Sequence, residues 1–180
     1  MNVLDVAENS VAAGATLITI TLALESAASR MTLTIADNGR GIPPEMLATI
    51  TDPFVTSRKT RKVGLGLPFL KMAAEMTGGT LDIRSTVGKG TTVTATFTTG
   101  HIDLAPLGDM AATIGSLIQC SPDIDFVYTV AADGERFCAD TRELRTVLDG
   151  VSFAEPAVAL WVREYLAENT APILKRSNAL

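Results

Sequence analysis

Half of the usual chemical vocabulary is scarce in this chain. It has 180 residues, of which only two are cysteine, one is histidine and one is tryptophan. Cys120 and Cys138 are too few for a disulfide framework and are not spaced as a metal knuckle, so both are expected as buried free thiols. His101 is the only histidine, and it reads as structural. No apolar run approaches the ~20 residues needed to cross a bilayer, which excludes a membrane span. The first residues, MNVLDVAENS, lack a basic segment followed by an apolar one, so export is not expected and the cytoplasm is. A net cationic balance is also missing. The formal charge is −5, which disfavours non-specific nucleic-acid binding. The GxxxxGK[ST] phosphate loop is absent as well: Gly88-Lys89 is followed by Gly90, and Ile83 stands where the leading glycine belongs.

Hydrophobic residues make up 47% of the chain and have to be accommodated in a packed interior. Residues 1–99 carry nine basic against eight acidic side chains, whereas residues 100–180 carry six against twelve. That shift places a boundary at Gly100, with a domain over 1–99 and an extension over 100–180. The spacing predicts a helix over 2–13, with Val3, Leu4, Val6 and Val11 on its buried side and Gly14 ending it. Four segments alternate with period two, around residues 18–24, 31–35, 81–83 and 93–97. Each has one wet face. The pattern predicts an α/β two-layer sandwich, a mixed and mostly antiparallel sheet with helices on one face only. The main connecting helix is expected over about 67–76, with Leu67, Leu70, Ala74 and Met72 inward, ended by Gly78-Gly79. Beyond Gly100 the pattern gives a small α+β extension: a helix through Leu107 to Ile118, a strand over 124–130, and a hairpin turning at Asp133-Gly134. Two further helices follow, one capped by Asp140 or Thr141, the other opening at Pro156 and aligning Val158, Trp161, Val162 and Tyr165 or Leu166.

Asp5 and Asn9 lie four apart on the first helix and project from one face. The Asn9 amide oxygen is a hard ligand suited to Mg²⁺, which takes phosphate oxygens and waters besides. A carboxylate at Asp5 is placed to orient or deprotonate a water. Asp37-Asn38-Gly39-Arg40-Gly41 follows directly on the second strand. The Asp37 carboxylate can accept from an exocyclic amine, which separates adenine from guanine, and Gly39 and Gly41 let the backbone approach a ring closely. Gly64-Leu65-Gly66-Leu67 opens a helix whose free N–H groups suit an anion, with Arg58, Lys59, Arg61 and Lys62 just upstream as a candidate lid over a triphosphate. Gly88-Lys89-Gly90-Thr91 opens the last strand of the domain, where the Thr91 hydroxyl is in reach of a base, directly or through water.

The order and spacing of these motifs over about residues 1–99 resemble the GHKL ATPase superfamily of histidine kinases, gyrase, Hsp90 and MutL, whose nucleotide fold is of the Bergerat type. The ENSVAAGATLITI run is similar to the first nucleotide-binding box of MutL-type proteins. The DPFVTSRKTRKVGLGLPFLKMAAEMTGGTLDIRSTVGKGTTVTATF run is similar to that half of a sensor histidine kinase. The resemblance implies ATP and Mg²⁺ as cofactors. It gives Asn9 to the metal, Asp37 to the adenine amine, Gly39 and Gly41 to the base-side wall with Ile42 beside them, and Gly64 and Gly66 to the phosphates with Leu65 and Leu67. Thr91 falls at the adenine edge, and Phe54 and Thr56 belong to the aromatic box before the lid that Arg58, Lys59 and Lys62 line. Two departures stand out. Hydrolysing members carry Glu where this chain has Asp5, a methylene shorter, so slow turnover is expected. No helical bundle pattern presents His101 as a phospho-acceptor. With APLGDM and PDIDFVYT, the whole chain resembles stand-alone histidine-kinase-like ATPases of anaerobic bacteria.

These readings make the chain a Mg-ATP-binding protein, either a slow ATPase or a protein kinase catalytic subunit acting in trans on an unknown protein partner or phospho-acceptor. A homodimer is one possible assembly, and neither nucleic acid nor membrane is expected as a partner. The alternative is an ATP-gated protein-binding module without turnover.

Overall fold

The computed structural model describes residues 3–47, 49–51 and 65–176. Helix α1, Val3–Ala12, leads through Gly14 into strand β1, Leu17–Glu25; a 3-10 turn at Ser26–Ala28 reverses the chain into β2, Arg30–Asp37. A one-turn helix α2, Pro44–Leu47, precedes α3, Gly66–Met76, and the hairpin of β3, Leu81–Thr86, with β4, Gly90–Thr98. Helix α4, Met110–Cys120, is followed by β5, Asp125–Ala132, β6, Glu135–Asp140, α5, Thr141–Val147, and the long α6, Pro156–Arg176.

Among the described residues, all six strands form one sheet in the order β3-β4-β2-β1-β5-β6. Four of the five pairings are antiparallel, and only β1 with β5 is parallel. The period-two pattern has its expected cause. Ile18, Ile20, Leu22 and Leu24 of β1, Met31, Leu33 and Ile35 of β2, and Val93, Ala95 and Phe97 of β4 are buried under the helices, while the threonines between them face the other side. Phe126, Tyr128, Val130 and Ala132 of β5 continue the same buried face. The fold is therefore the two-layer sandwich expected from the sequence, and the hairpin after Gly100 occupies the edge of β1 with Leu17 opposite Asp125 through Leu24 opposite Ala132. Asp133 and Gly134 make its turn with φ of 48° and 93°, the left-handed pair that a two-residue hairpin requires.

Helix faces differ from expectation at single positions. In α1 the buried set is Val3, Val6, Ala7 and Ser10, a strict i, i+3, i+4, i+7 stripe, which turns Leu4 outward to 38% exposure. The small Ala7 and Ser10 form the inward contact where large aliphatics were counted. In α3 the stripe is Leu67, Leu70 and Ala74, and Met72 lies on the opposite side, 49% exposed. Trp161 is likewise largely outward, its ring stacked on Tyr165 at 5.6 Å between centroids. Both cysteines are exposed rather than buried: Cys120 is the last residue of α4, and Cys138 sits on the face of β6 opposite Ala139.

Candidate functional site

The end of β2 is where α1, β4 and the loop after β2 converge. Asn38 takes the backbone N–H groups of Thr16 and Leu17 on its Oδ1, at 2.8 and 3.0 Å, and donates from Nδ2 to the Thr16 hydroxyl at 2.8 Å. This clamp ties the start of β1 to the turn after β2. Gly39 lies against Ala13, where an added Cβ would sit 2.9 Å from the Ala13 Cβ. Gly41 has φ of 71°, and a Cβ there would meet the Thr86 carbonyl oxygen at 2.2 Å, so only glycine fits between the two loops.

Asp37 is held by three hydrogen bonds. Its Oδ2 accepts from the Ser10 hydroxyl at 2.7 Å, and its Oδ1 accepts from the N–H of Gly39 at 2.9 Å and of Thr91 at 3.3 Å. The close approach of β4 that permits this rests on Gly90, where a Cβ would lie 1.9 Å from the Asp37 carbonyl oxygen. Ser85 of β3 accepts from the N–H of Ile42 at 2.8 Å, donates to the Gly90 carbonyl at 2.9 Å, and shares a 2.9 Å contact with the Thr91 hydroxyl. The loop at Gly41-Ile42 and the start of β4 are thus fixed to one serine.

Between α1, α3 and this corner lies a cavity of about 400 Å³. Asn9, Ser10, Asp37, Gly41 and Thr91 contribute polar groups to its wall, and Val6, Ile42, Met46, Ile50, Leu67 and Val93 make the rest largely apolar. That is the composition of a small-molecule pocket, an apolar slot with a few convergent polar groups. A second recess of about 460 Å³ shares Asp37 and Thr91 with it and reaches Ser85 and Lys89.

Six of the residues singled out in the sequence, Asn9, Asp37, Gly41, Ile42, Leu67 and Thr91, line the cavity. Gly39 and Gly66 do not line it; a Cβ on Gly66 would lie 2.8 Å from that of Asp5, so this glycine lets α3 start against α1. Asp5 itself is exposed and does not line the cavity, and Leu65 is 50% exposed at the N-terminal end of α3. Phe54, Thr56, Arg58, Lys59, Lys62 and Gly64 lie outside the described residues. His101 sits in the loop after β4, its Nδ1 accepting from the Asp103 N–H at 3.2 Å. Three contributors were missed in the sequence: Ser10, Asn38 and Ser85. Ser10 follows Asn9 directly, which was the one available signal for it.

The residues present fit a bound magnesium nucleotide. Among the described residues no group of three His, Cys, Asp or Glu is assembled to cage a metal. The Asn9 Nδ2 is buried without a hydrogen-bond partner among the described residues. A carboxamide so placed is free to turn its oxygen to a cation that completes its shell with phosphate oxygens and water, the habit of Mg²⁺.

Fold and site together define a Bergerat-type nucleotide-binding sandwich, with its ligand slot at the corner of a sheet covered on one face. The chain belongs to the histidine kinase-, DNA gyrase B-, and HSP90-like ATPase family, whose model matches residues 2–101. It is 43% identical over 77 residues to sporulation kinase D of Bacillus subtilis (strain 168), covering 43% of this chain and 15% of that kinase. It is 39% identical over 77 residues to the sensor histidine kinase ZraS of Salmonella typhi, covering 42% and 16%. The chain thus matches only about a sixth of the length of these relatives. A solved structure of the N-terminal domain of a DNA repair protein superposes with a TM-score of 0.50 at 15% identity, over 74% of this chain and 49% of that one, a likeness of fold. The domain is a histidine-kinase-like ATP-binding domain. Among the described residues no helix is long and apolar enough to cross a membrane.

Proposed function

We propose that the protein binds Mg-ATP in the 400 Å³ cavity and passes the terminal phosphoryl group slowly, to water or in trans to a protein acceptor. The observation that supports it most is Asp37. An ionised carboxylate offers about four acceptor sites, and three are already taken by Ser10, Gly39 and Thr91, so the group is fixed in place with one site left open, among the described residues, to a single donor. An exocyclic amine is such a donor. Asn9 would hold Mg²⁺, which when bound offsets phosphate charge. Gly64 and Gly66, with Leu65 and Leu67, would bring the start of α3 to the phosphates, and Arg58, Lys59 and Lys62 would cover them. Phe54 and Thr56 would close the base side.

A second reading, an ATP-gated binding module without turnover, is favoured by Asp5. The residue in the position of the water-activating acid is exposed, off the cavity wall and one methylene shorter than glutamate. Incubation with γ-labelled ATP, alone and with lysate of the native cell, followed for free phosphate and for labelled protein, separates the two. Asn9→Ala should abolish Mg-dependent binding and any label release, while Asp5→Asn should leave binding intact and lower turnover, because a metal ligand acts in the ground state and a water-orienting acid in the transition state. Turnover unchanged by Asp5→Asn would make Asp5 a surface acid. No labelled product of either kind, with ATP still bound, would select the gated module.

A further inference from the structure

We propose that Ser85 is a positioning residue for nucleotide choice: it holds the Thr91 hydroxyl with its proton turned away from the cavity, so that Asp37 and Thr91 face the base as two acceptors. The inference rests on the reading that the base sits at this corner.

It follows from counting protons. Ser85 Oγ carries one hydrogen and makes three short polar contacts, to the Ile42 N–H at 2.8 Å, the Gly90 carbonyl at 2.9 Å and the Thr91 hydroxyl at 2.9 Å. The Ile42 amide can only donate and the Gly90 carbonyl can only accept. All three contacts are hydrogen bonds in one arrangement alone: Ser85 accepts from Ile42, gives its proton to Gly90, and accepts the Thr91 proton. The opposite arrangement, with Ser85 donating to Thr91, leaves two oxygens, Ser85 Oγ and Gly90 O, 2.9 Å apart with no proton between them. Thr91 is 8% exposed and lines both the cavity and the recess beside it, and its oxygen then presents lone pairs only.

Asp37 is an acceptor by nature, with one of its four sites open. A base edge bearing an amino group brings two protons and can satisfy both acceptors. A 6-oxo purine brings a carbonyl oxygen to the same place and a single neighbouring proton, on N1, so one of the two acceptors is left facing a lone pair, and Thr91 is barred from rotating to donate. Discrimination between amino and oxo purines is therefore shared between Asp37 and a hydroxyl that would be indifferent if it were free to turn.

Binding of ATP and of inosine triphosphate to the intact protein, read by calorimetry with Mg²⁺ present, tests the idea. The unmodified chain should prefer ATP. Ser85→Ala frees the Thr91 proton and should narrow the ATP-to-inosine-triphosphate ratio by about tenfold, the weight of one hydrogen bond gained by the wrong base. A merely structural effect of losing the Ile42 contact would weaken both nucleotides together and leave the ratio in place. Thr91→Val should narrow the ratio by itself, and adding Ser85→Ala to it should change the ratio no further. ATP bound with an unchanged ratio in Ser85→Ala, or in Thr91→Val should Ser85→Ala not fold, overturns the role of Ser85 while leaving the nucleotide site standing. Failure of the unmodified chain to bind either nucleotide sinks the site and this inference with it.

Discussion

At the scale of single residues, the site is built from side chains that reach across the sequence rather than along it. Ser10 and Asp37 are 27 positions apart, and Ile42 and Ser85 are 43 apart. Asp37 was legible because it follows a strand and precedes two glycines, a local pattern with a chemical meaning. Ser85 was not, since a serine on a short strand has no spacing that announces a partner on another loop. Asn38 shows the same limit: beside Asp37 it reads as a turn residue, and its three bonds to Thr16 and Leu17 depend on β1 and β2 being paired. Tyr128 carries a different kind of signal. It is 1% exposed, its hydroxyl has no hydrogen-bond partner among the described residues, and burial pushes the phenol well above its ordinary pKa. An unpartnered buried hydroxyl opposes folding, so Tyr128→Phe should leave stability unchanged or raise it by about 1 kcal/mol in a denaturant melt. A loss of that size would reveal a partner for the hydroxyl in solution.

Among the elements, strands were easier to read than helix faces. Each strand has one covered and one uncovered side, so period two appears directly in the residues, and β1, β2 and β4 fell where expected. Helices α1 and α3 are short and bury alanine, serine or glycine in place of a large side chain, which is why Leu4 and Met72 face outward against expectation. Four-residue α2 is below any period that a pattern can show. The junction between the β5–β6 turn and the β1–β2 turn was also invisible. There Asp133 accepts from the Ser26 N–H at 2.9 Å and the Ser26 hydroxyl at 2.5 Å, across 107 residues. These bonds, first from the hydroxyl and then from the amide, hold the Asp133 carboxyl below its ordinary pKa. A depressed folded pKa gives stability that is present above the unfolded value and lost as pH falls through the folded one. Asp133→Asn keeps the left-handed backbone that asparagine tolerates but removes the charge. The difference in melting temperature between the two proteins should be largest near neutral pH and shrink as acid carries the carboxyl through its titration. A difference that stays constant across that range would show that the latch has no charge dependence.

For the molecule as a whole, the sheet does not stop where the charge balance changes. Strand β5 pairs with β1 from Leu17 to Leu24, α4 packs on α1 and on α6, and Ile114, Phe126 and Val130 belong to the same core as Ile18 and Leu22. The charge balance changes at Gly100, but about 80 residues are marginal for a core of their own, and the hairpin that follows Gly100 lies on the edge of β1. We read residues 100–180 as a fixed part of the ATP-binding unit with an acidic outer surface, suited to steering a basic partner. A chain ending at Thr99 would expose β1 as an unpaired edge, and it should aggregate or melt without cooperativity, while a fragment of 100–180 should not fold. Sharp cooperative melts from both pieces would make them independent domains.

The central claim is that this corner of the sheet binds Mg-ATP through Asp37. Calorimetric titration of the intact protein with ATP and GTP, with and without Mg²⁺, addresses it most directly. The account predicts Mg-dependent binding of ATP in preference to GTP, and a loss of about 1–3 kcal/mol in Asp37→Asn, the range for spoiling a buried hydrogen-bond partner. Equal affinity for the two nucleotides, or ATP affinity untouched by Asp37→Asn, would contradict it.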